Sequence, residues 1–429
     1  MGQAATAPTS ERLESLDFIR GCALFGILIM NIVGMGLGPA YDNPTVMGGD
    51  TGANLWTWFI VNVTFEGTQR GLFSILFGAG VILFTSRPDS TDAYFRRNLW
   101  LIAFGLFNAW VLLWGGDILY FYGLTALFLF AFRHLSGRKL LALGIASFVL
   151  GAAWTGLDTF NMLDLHKRAV AAESVPAAKR TEEQKKAVDE WKDESRGAPS
   201  AERVAQLKAE NQAGYISALK IRAPRIAEAE SWEAYRYFFD IFGMMMIGMG
   251  LFKLGVLTLE ARTRTYVAMM IGGYAIGMPL NLYEATWLMS HGFSGLARHQ
   301  ADMTYDFARL AQTTGHLGLL GLFLKSGIFS WFRQSMAAVG RMALTNYLTH
   351  SLIALIIFVF LGYWGKLERH QLYYIVFTIW AAQIVISPIW LKHFHFGPVE
   401  WLWRYLTYGK APSFRRESGV PGPALMAAE

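Results

Sequence analysis

The sequence predicts an all-α membrane protein, a bundle of about ten transmembrane helices. Hydrophobic residues make up 53% of the 429 residues and charged residues only 16%, a balance that favours the membrane over a soluble domain. Apolar runs near 20 residues recur along the chain, which is the length a helix needs to cross the hydrocarbon core. Many of the 15 Trp and 17 Tyr residues stand near the ends of those runs, as in the aromatic belts of membrane interfaces.

The first run, 17–37, shows how polar residues are placed within the spans. Asp17 and Arg20 open this run, and Asn31 lies deep inside it. Eleven helical residues return Asn31 to nearly the same face as Arg20, roughly 16 Å further along the axis. Polar groups within spans usually face protein or water. We therefore expect the Arg20–Asn31 stripe to face the interior of the bundle.

Basic residues orient the spans that follow. Segments assigned to the cytoplasm carry 19 of the 38 Lys and Arg, the alternate short loops carry 5, and the long 157–236 segment carries 14. Because short cytoplasmic loops are enriched in Lys and Arg, both termini are expected in the cytoplasm. Residues 55–66 form a short apolar piece that either lengthens the second span or lies in the interface. The predicted spans are 17–37, 68–86, 98–114, 118–133, 139–156, 236–254, 265–284, 311–331, 339–361 and 371–391.

The chain divides into four predicted units. Residues 1–156 form a five-span half, 157–235 an extracytoplasmic helical cap loop, 236–410 a second five-span half, and 411–429 a disordered tail. In the cap loop, Thr181-Glu-Glu-Gln184 predicts a capping box at the start of the one or two surface helices expected there. The sequence Gly197-Ala-Pro199 predicts a break between these helices. The charged composition favours a solvated cap, with an interaction module as the alternative.

Small residues recur where spans should touch, and we assign them to helix packing rather than to chemistry. They are the pairs Gly67/Gly71, Gly78/Gly80, Gly248/Gly250, Gly273/Gly277 and Gly315/Gly318.

Several classes of function are excluded by the sequence. It contains no P-loop, zinc-protease, nucleophile-elbow or dinucleotide-binding motif. The single Cys22 excludes a disulfide framework, and the nine scattered histidines predict no metal site. The net charge of +6 is explained by cytoplasmic loops that face anionic lipid, so no nucleic acid partner is expected.

Polar residues within the predicted spans sort by depth into two layers, and their convergence predicts a polar cavity. Helical spacing lets Glu66 pair with Arg70. The same spacing places Asn346 with His350, and Asn281 with Glu284, on shared faces. The outer layer contains Asn31, Glu66, Arg70, Asp117, Asp240, Asn281, Glu284 and His316, and the inner layer contains Asp17, Arg20, Arg341, Asn346 and His350.

Each of these groups also has a structural alternative. Asp17 with Arg20 could be an interfacial ion pair, and Glu66 with Arg70 could fix helix register. Asp117 could cap the next helix from its tight turn. The remaining candidates are hydrogen-bonded core histidines, His316 and His350, and wetted span ends, Asp240, Asn281 and Glu284.

Six motifs together resemble the bacterial YeiB family over nearly the whole chain, apart from the termini and the 157–230 loop. The resemblance implies a protein of the bacterial cytoplasmic (inner) membrane. The motifs are Leu16-Asp-Phe-Ile-Arg-Gly21, Phe65-Glu-Gly67, Leu72-Phe-Ser-Ile-Leu-Phe-Gly78, Gly116-Asp-Ile-Leu119, Gly340-Arg-Met-Ala-Leu-Thr-Asn-Tyr347 and Phe396-Gly-Pro-Val-Glu-Trp-Leu-Trp-Arg404.

The N-terminal half more distantly resembles transmembrane acyltransferases of the heparan-α-glucosaminide N-acetyltransferase type and the acyltransferase-three type. The shared opening is Leu16-Asp17-x-x-Arg20-Gly21. Where the acyltransferase-three pattern has a histidine, this chain has Asn31. The heparan type carries its catalytic histidine before the second span, whereas residues 40–70 here contain no histidine.

The leading hypothesis is an enzyme that passes an acyl group from a cytoplasmic acyl-CoA donor to an extracytoplasmic sugar or lipid acceptor. Arg20 and Arg341 would contact the donor phosphates, Asn346 and His350 would line the inner vestibule, and Glu66 or His316 would be the outer base. The candidate catalytic residues are Glu66, Asp117, His316 and His350, and the candidate binding residues are Asp17, Arg20, Asn31, Arg70, Asn281, Glu284, Arg341 and Asn346.

Two other hypotheses fit the sequence. One is a transporter of a small polar or amphipathic solute, and the other is a non-enzymatic lipid-binding scaffold. Membrane lipid is an expected partner in every case. No cofactor is required beyond acyl-CoA as a donor substrate, and a homo-oligomer is not excluded.

Overall fold

The computed structural model describes residues 10–41, 43–88, 90–194, 199–231 and 234–416. Within these ranges the regular structure is helical apart from one isolated β-bridge between Phe394 and Arg415, which confirms the all-α prediction. The helices are α1 Ser10–Leu37, α2 Gly52–Phe65, α3 Thr68–Thr85, α4 Thr91–Trp110, α5 Leu119–Leu129, α6 Gly137–Glu173, α7 Glu182–Glu194, α8 Ala201–Gln212, α9 Tyr215–Glu230, α10 Ala234–Lys253, α11 Thr263–Ser290, α12 Gly295–Ser326, α13 Ser330–Arg341, α14 Ala343–Ala354, α15 Arg369–His393 and α16 Pro398–Tyr408.

Five stretches of the described chain are long and apolar enough to cross a membrane. They fall on the first, second, fifth, ninth and tenth predicted spans. The other five predicted spans lie on α4, α5, α10, α11 and α12. The count of ten spans and the side of the termini stay predictions. The five stretches are Glu14–Ala40, Gly52–Thr85, Gly137–Glu173, Ala343–Phe360 and Arg369–His393.

Three helices run far beyond the predicted spans. The 37 residues of α6 make it about 56 Å long, whereas the hydrocarbon core is about 30 Å thick. This helix continues unbroken through residue 156, where the first predicted unit ends. Helices α11 and α12 also extend beyond their spans, and only residues 291–294 separate them. The loop expected between the predicted spans 265–284 and 311–331 is instead the end of a helical hairpin.

Gly67 separates α2 from α3. Its φ of +67° is in the left-handed region, which glycine adopts without steric cost. A Cβ at this position would also lie 2.2 Å from Cδ of Arg309. Because the chain turns here, Glu66 and Arg70 are not on one continuous helix. The pairing predicted from their spacing is replaced by other partners for both residues.

The cap loop contains α7, α8 and α9, where one or two helices were predicted. The predicted capping box is confirmed, since the Thr181 N–H donates to Gln184 Oε1 at 3.0 Å and the Gln184 N–H donates to Thr181 Oγ1 at 3.2 Å. Gly197 of the predicted break lies outside the described residues. Gln212 Nε2 donates to the Trp364 carbonyl at 2.6 Å, and Arg222 Nη1 donates to the Leu113 carbonyl at 3.0 Å. These bonds hold α8 and α9 on the bundle.

The last described residues are ordered against the end of α15. The His395 N–H donates to the Phe414 carbonyl at 3.0 Å, and the Arg416 N–H donates to the His393 carbonyl at 2.9 Å. The first six residues of the unit predicted as a disordered tail therefore pack on the bundle. Residues 417–429 lie outside the described part of the chain.

The core is centred on α10, which packs against α3 and α6. Glycines bring α3 and α10 into backbone contact. A Cβ on Gly78 would lie 2.0 Å from the Met245 carbonyl oxygen, and a Cβ on Gly248 would lie 2.0 Å from the Ile75 carbonyl oxygen. The structure agrees with the assignment of these two glycines to packing.

The variant Gly78→Ala is expected to lower the melting temperature, because the added methyl group would push α3 away from α10. Overpacking of this kind typically costs about 1–3 kcal/mol. The matched control is Gly80→Ala on the same helix, where a Cβ meets no atom within 4 Å. Thermal unfolding of the detergent-solubilised protein measures both. Equal melting temperatures for the two variants would contradict the close approach of the helices.

Candidate functional site

Four arginines line a cavity of about 220 Å³, here called the arginine cavity. They come from four helices: Arg20 on α1, Arg97 on α4, Arg341 on α13 and Arg404 on α16. Apolar and aromatic side chains of α3, α4 and α5 line the rest of the cavity. Those side chains include Phe73, Leu76, Phe77, Val81, Leu101, Leu119 and Tyr122.

Backbone contact between α1 and α13 brings Arg20 and Arg341 to the same cavity. A Cβ on Gly340 would lie 1.8 Å from the Asp17 carbonyl oxygen, and a Cβ on Gly21 would lie 2.2 Å from the Met336 carbonyl oxygen. Glycines adjacent to both arginines therefore permit the approach. Residues more than 300 positions apart in the chain meet here for that reason.

A tryptophan of α16 brings the other two arginines together. The Arg97 guanidinium lies 3.7 Å from the centroid of the Trp403 ring, within the range of a cation–π interaction. Trp403 Nε1 also donates to the Arg97 carbonyl at 2.8 Å. Helix α16 is thus fixed on α4 with Arg404, the next residue, directed to the same cavity.

Positive charge exceeds negative charge around the arginine cavity. Arg20 pairs with Asp17 at 2.6 Å, whereas no carboxylate of the described chain lies within 4.0 Å of the Arg97, Arg341 or Arg404 guanidinium groups. Burial lowers the pKa of Arg404, and the charge of Arg87 adds to this effect. An anion in the cavity would offset the cost of holding these charges together.

Glu400 lines the same cavity, but its carboxylate is engaged in hydrogen bonds that stabilise the fold. It accepts hydrogen bonds from the Leu344 N–H at 2.7 Å and the Thr345 N–H at 3.0 Å. These are free N–H groups of the first turn of α14, so Glu400 caps that helix from α16. Burial is the main influence on the pKa of Glu400 and raises it.

Among the predicted inner-layer residues, Arg20 and Arg341 line the cavity, whereas Asn346 and His350 do not. Asn346 Nδ2 donates to the Val339 carbonyl at 3.1 Å. His350 Nε2 lies 3.1 Å from Gln383 Oε1 of α15. Both residues are buried and connect α14 to its neighbours.

Arg97 and Arg404 were missed at the level of sequence, where they counted only as basic residues of cytoplasmic segments. Two signals pointed to them. Arg97 immediately precedes the predicted span 98–114, and Arg404 ends the motif that begins at Phe396.

A second cavity of about 250 Å³, here called the mixed-charge cavity, lies between α3, α6, α10 and α12. Buried Arg309 pairs with Asp306 at 2.6 Å and with Asp240 at 3.1 Å, and Arg70 pairs with Asp240 at 3.2 Å. The two cavities share no lining residue. Arg70 lines the mixed-charge cavity, whereas residues between Phe73 and Phe84 of the same helix line the arginine cavity.

Tyr122 connects the two cavities, because it lines one of them and is hydrogen-bonded to a residue of the other. It is fully buried and lines the arginine cavity. Its hydroxyl donates to the Arg70 carbonyl at 3.1 Å and lies 2.7 Å from the Ser74 hydroxyl. The single polar cavity predicted from the sequence is therefore two cavities with a hydrogen-bonded tyrosine near their boundary.

The remaining outer-layer residues hold helices together. Glu66 accepts a hydrogen bond from the Tyr305 hydroxyl at 2.9 Å, and Glu284 accepts one from the Thr304 hydroxyl at 2.6 Å. Asn281 donates to Gln312 across the α11–α12 pair. None of Glu66, Asn281 and Glu284 lines either cavity, and half-buried Asn31 does not line them either.

Both ring nitrogens of His316 are engaged. Its Nε2 lies 3.0 Å from the Thr64 carbonyl oxygen, and its Nδ1 lies 2.8 Å from the Tyr274 hydroxyl. A carbonyl oxygen only accepts hydrogen bonds, so the proton is assigned to Nε2, and Nδ1 accepts from Tyr274. This arrangement matches the alternative of a hydrogen-bonded core histidine.

Asp117 caps α5 and also contacts the arginine cavity through a tyrosine. Its Oδ2 accepts from the Tyr120 N–H at 2.8 Å, and its Oδ1 accepts from Asn108 at 2.7 Å. The hydroxyl of Tyr347, which lines the arginine cavity, lies 3.4 Å from the same Oδ1. Across the described residues, no group of three or more His, Cys, Asp or Glu side chains is placed to hold a metal ion.

Comparison with known proteins shows a full-length relative. The chain is 30% identical over 404 residues to "Uncharacterized protein YeiB" of Escherichia coli strain K12, an alignment that covers 92% of this chain and 96% of that protein. The chain belongs to the YeiB family. "Uncharacterized protein YxaH" of Bacillus subtilis strain 168 is 26% identical over 424 residues, covering 93% of this chain and 95% of that protein.

The C-terminal part of this YeiB-family chain, residues 251–410, matches a family model described as "Protein of unknown function (DUF418)". That region contains Arg341, Glu400 and Arg404, which form one side of the arginine cavity. Arg20 and Arg97 lie before it. No solved structure matches the chain.

Proposed function

We propose that this YeiB-family protein is a membrane acyltransferase whose arginine cavity binds the phosphate-bearing head of an acyl-CoA donor. The observation that carries the proposal is the convergence of Arg20, Arg97, Arg341 and Arg404 on one cavity, where Asp17 is paired and Glu400 is occupied by helix capping. The more distant resemblance of residues 16–21 to transmembrane acyltransferases supports the same reaction class.

The chemistry of the cavity suits an amphipathic anion. Guanidinium groups form charge-assisted and bidentate hydrogen bonds with phosphate oxygens. The apolar side chains of α3 to α5 could accept part of an acyl chain, because transfer of each CH₂ group from water into such surroundings is favourable by about 0.8 kcal/mol. A simple inorganic anion would leave this apolar wall unused.

In the proposed reaction, an amine or hydroxyl group of the acceptor attacks the thioester carbonyl carbon. The C–S bond breaks, a C–N or C–O bond forms, and the acceptor proton ends on sulfur, which gives the free thiol of CoA. Of the predicted catalytic residues, Asp117 lies 3.4 Å from the hydroxyl of Tyr347, which lines the arginine cavity. This pair is the proposed route by which the proton leaves the acceptor.

The proposal is tested with the full-length protein in phosphatidylcholine nanodiscs. Long-chain acyl-CoA, CoA and phosphatidic acid are titrated separately, and release of the CoA thiol is followed with candidate acceptors. We expect acyl-CoA to bind more tightly than CoA and to release free thiol. Binding of phosphatidic acid without acyl-CoA binding would replace this proposal with the lipid-binding scaffold.

The variant Gly80→Leu blocks the cavity without touching an arginine. Gly80 lines the arginine cavity, and a Cβ there meets no atom within 4 Å. We expect this variant to melt like the wild type and to lose at least tenfold in affinity for long-chain acyl-CoA. The matched control is Gly272→Leu, an exposed position of α11 with equally open space. Equal affinities in the two variants would contradict the proposed position of the acyl chain.

One observation favours transport as a second candidate function. Two cavities lie at different depths along α3, and Tyr122 stands near their boundary with its hydroxyl bonded to Arg70. Solute flux into proteoliposomes that is lost in Arg20→Ala, without any turnover of acyl-CoA, would select this alternative.

A further inference from the structure

We infer that the mixed-charge cavity is a second binding site, which takes a small molecule carrying a protonated amine next to an oxygen acceptor. This inference goes beyond the proposed donor site and does not depend on it, because the two cavities share no lining residue.

The first argument is the shape and position of the cavity. It has a volume of about 250 Å³ and is formed by side chains from four helices, α3, α6, α10 and α12. Trp154 lies at its margin, 55% exposed, while Phe148 is buried. Aromatic walls combined with a few polar groups are typical of sites for small molecules.

The second argument is the balance of charge. Four aspartates and two arginines line the cavity, and the arginines are used in ion pairs with Asp240 and Asp306. Asp302 has no cation within 4.0 Å in the described part of the chain. Burial raises the pKa of its carboxyl group, and the nearby charges of Arg298 and His299 offset this increase only in part. A ligand amine beside Asp302 would supply the missing charge.

The third argument is a buried N–H donor, in contrast to the Asp302 carboxylate, which is an acceptor. Arg309 is 2% exposed, and its Nε has no hydrogen-bond partner among the described residues. Buried polar groups are nearly always satisfied, so an acceptor oxygen of a bound molecule would satisfy this N–H. A ligand with an amine at one end and an oxygen at the other fits both Asp302 and Arg309.

Amino alcohols have this chemistry, either free or as the headgroup of a lipid. The test therefore compares ethanolamine with ethylene glycol, which differ in the replacement of the amine by a hydroxyl group. Both are titrated against the full-length protein in phosphatidylglycerol nanodiscs by calorimetry. We expect ethanolamine to bind at least tenfold more tightly than ethylene glycol. Equal binding of the two, or binding of neither, would overturn the inference.

The variant Asp302→Asn keeps the size of the side chain and removes its charge. We expect it to weaken ethanolamine binding by about tenfold or more and to fold normally, because the carboxylate has no ion pair to lose. The control is Asp164→Asn on the exposed face of α6. Unchanged affinity in Asp302→Asn would refute the role of this carboxylate. Loss of free ethanolamine binding in phosphatidylethanolamine nanodiscs would identify the lipid headgroup as the occupant, whereas retained binding would identify the free molecule.

Discussion

Replacement of Arg97 or Arg404 by glutamine is expected to weaken the binding of long-chain acyl-CoA by about 10- to 100-fold each. A hydrogen bond to a charged group contributes about 1.5–3 kcal/mol, and each 1.4 kcal/mol is a tenfold change in affinity. Glutamine keeps much of the length and polarity of arginine but removes the charge. Calorimetric titration in nanodiscs at two salt concentrations measures the effect, and each variant should show weaker dependence on salt than the wild type.

The matched control for these variants is Arg168→Gln. Arg168 is an exposed residue of α6 that pairs with Asp164, so its loss should leave acyl-CoA affinity unchanged. If the Arg97 and Arg404 variants bind as tightly as this control, the phosphate groups do not lie in the arginine cavity. Melting temperatures distinguish a lost contact from a damaged fold, since Arg97 also stacks on Trp403.

Removal of Arg309 should cause the largest loss of stability. The variant Arg309→Met would remove the cation that pairs with Asp306 and would leave Asp240 with Arg70 alone. Breaking a buried ion pair by removing one partner costs about 3–5 kcal/mol. Methionine keeps an unbranched chain, so the loss reflects charge more than packing. Chemical unfolding of the detergent-solubilised protein measures the effect.

A double variant separates the charge effect from the shape effect. Adding Asp306→Asn to Arg309→Met removes the carboxylate that has lost its cation and should restore part of the lost stability. The control is Arg168→Met, which breaks an exposed pair and should change stability by about 0–1 kcal/mol. A loss in Arg309→Met no larger than in this control would contradict a buried charge network around α12.

The four arginines of the arginine cavity differ in how well the sequence alone could identify them as site residues. Arg20 and Arg341 could be identified because each lies in a recognisable motif at a span end. Arg97, at the start of a predicted span, and Arg404, at the end of a motif, had only weaker signals, since the packing of α16 against α4 is what brings both to the cavity. The sequence contains no local signal for contacts between residues about 300 positions apart.

The predicted Glu66–Arg70 pair failed for a different physical reason. A spacing of four residues brings side chains together only on a continuous helix, and the left-handed backbone at Gly67 interrupts that helix. Helix ends were also misplaced in α6, α11 and α12, because hydropathy detects the apolar part of a helix and not its polar continuation. The all-helical class could be predicted without the correct pairing or the correct helix ends, because composition and the length of the apolar runs determine it.

The capping of α14 by Glu400 has a practical consequence for experiments on topology. Reporter proteins are commonly fused after the last predicted span, 371–391, to determine on which side of the membrane the chain continues. A fusion that replaces the chain from residue 397 would remove Glu400, Trp403 and Arg404 together. It would leave the start of α14 uncapped and the cavity open on one side. A reporter joined after residue 416 keeps this closure intact and reports on the native protein.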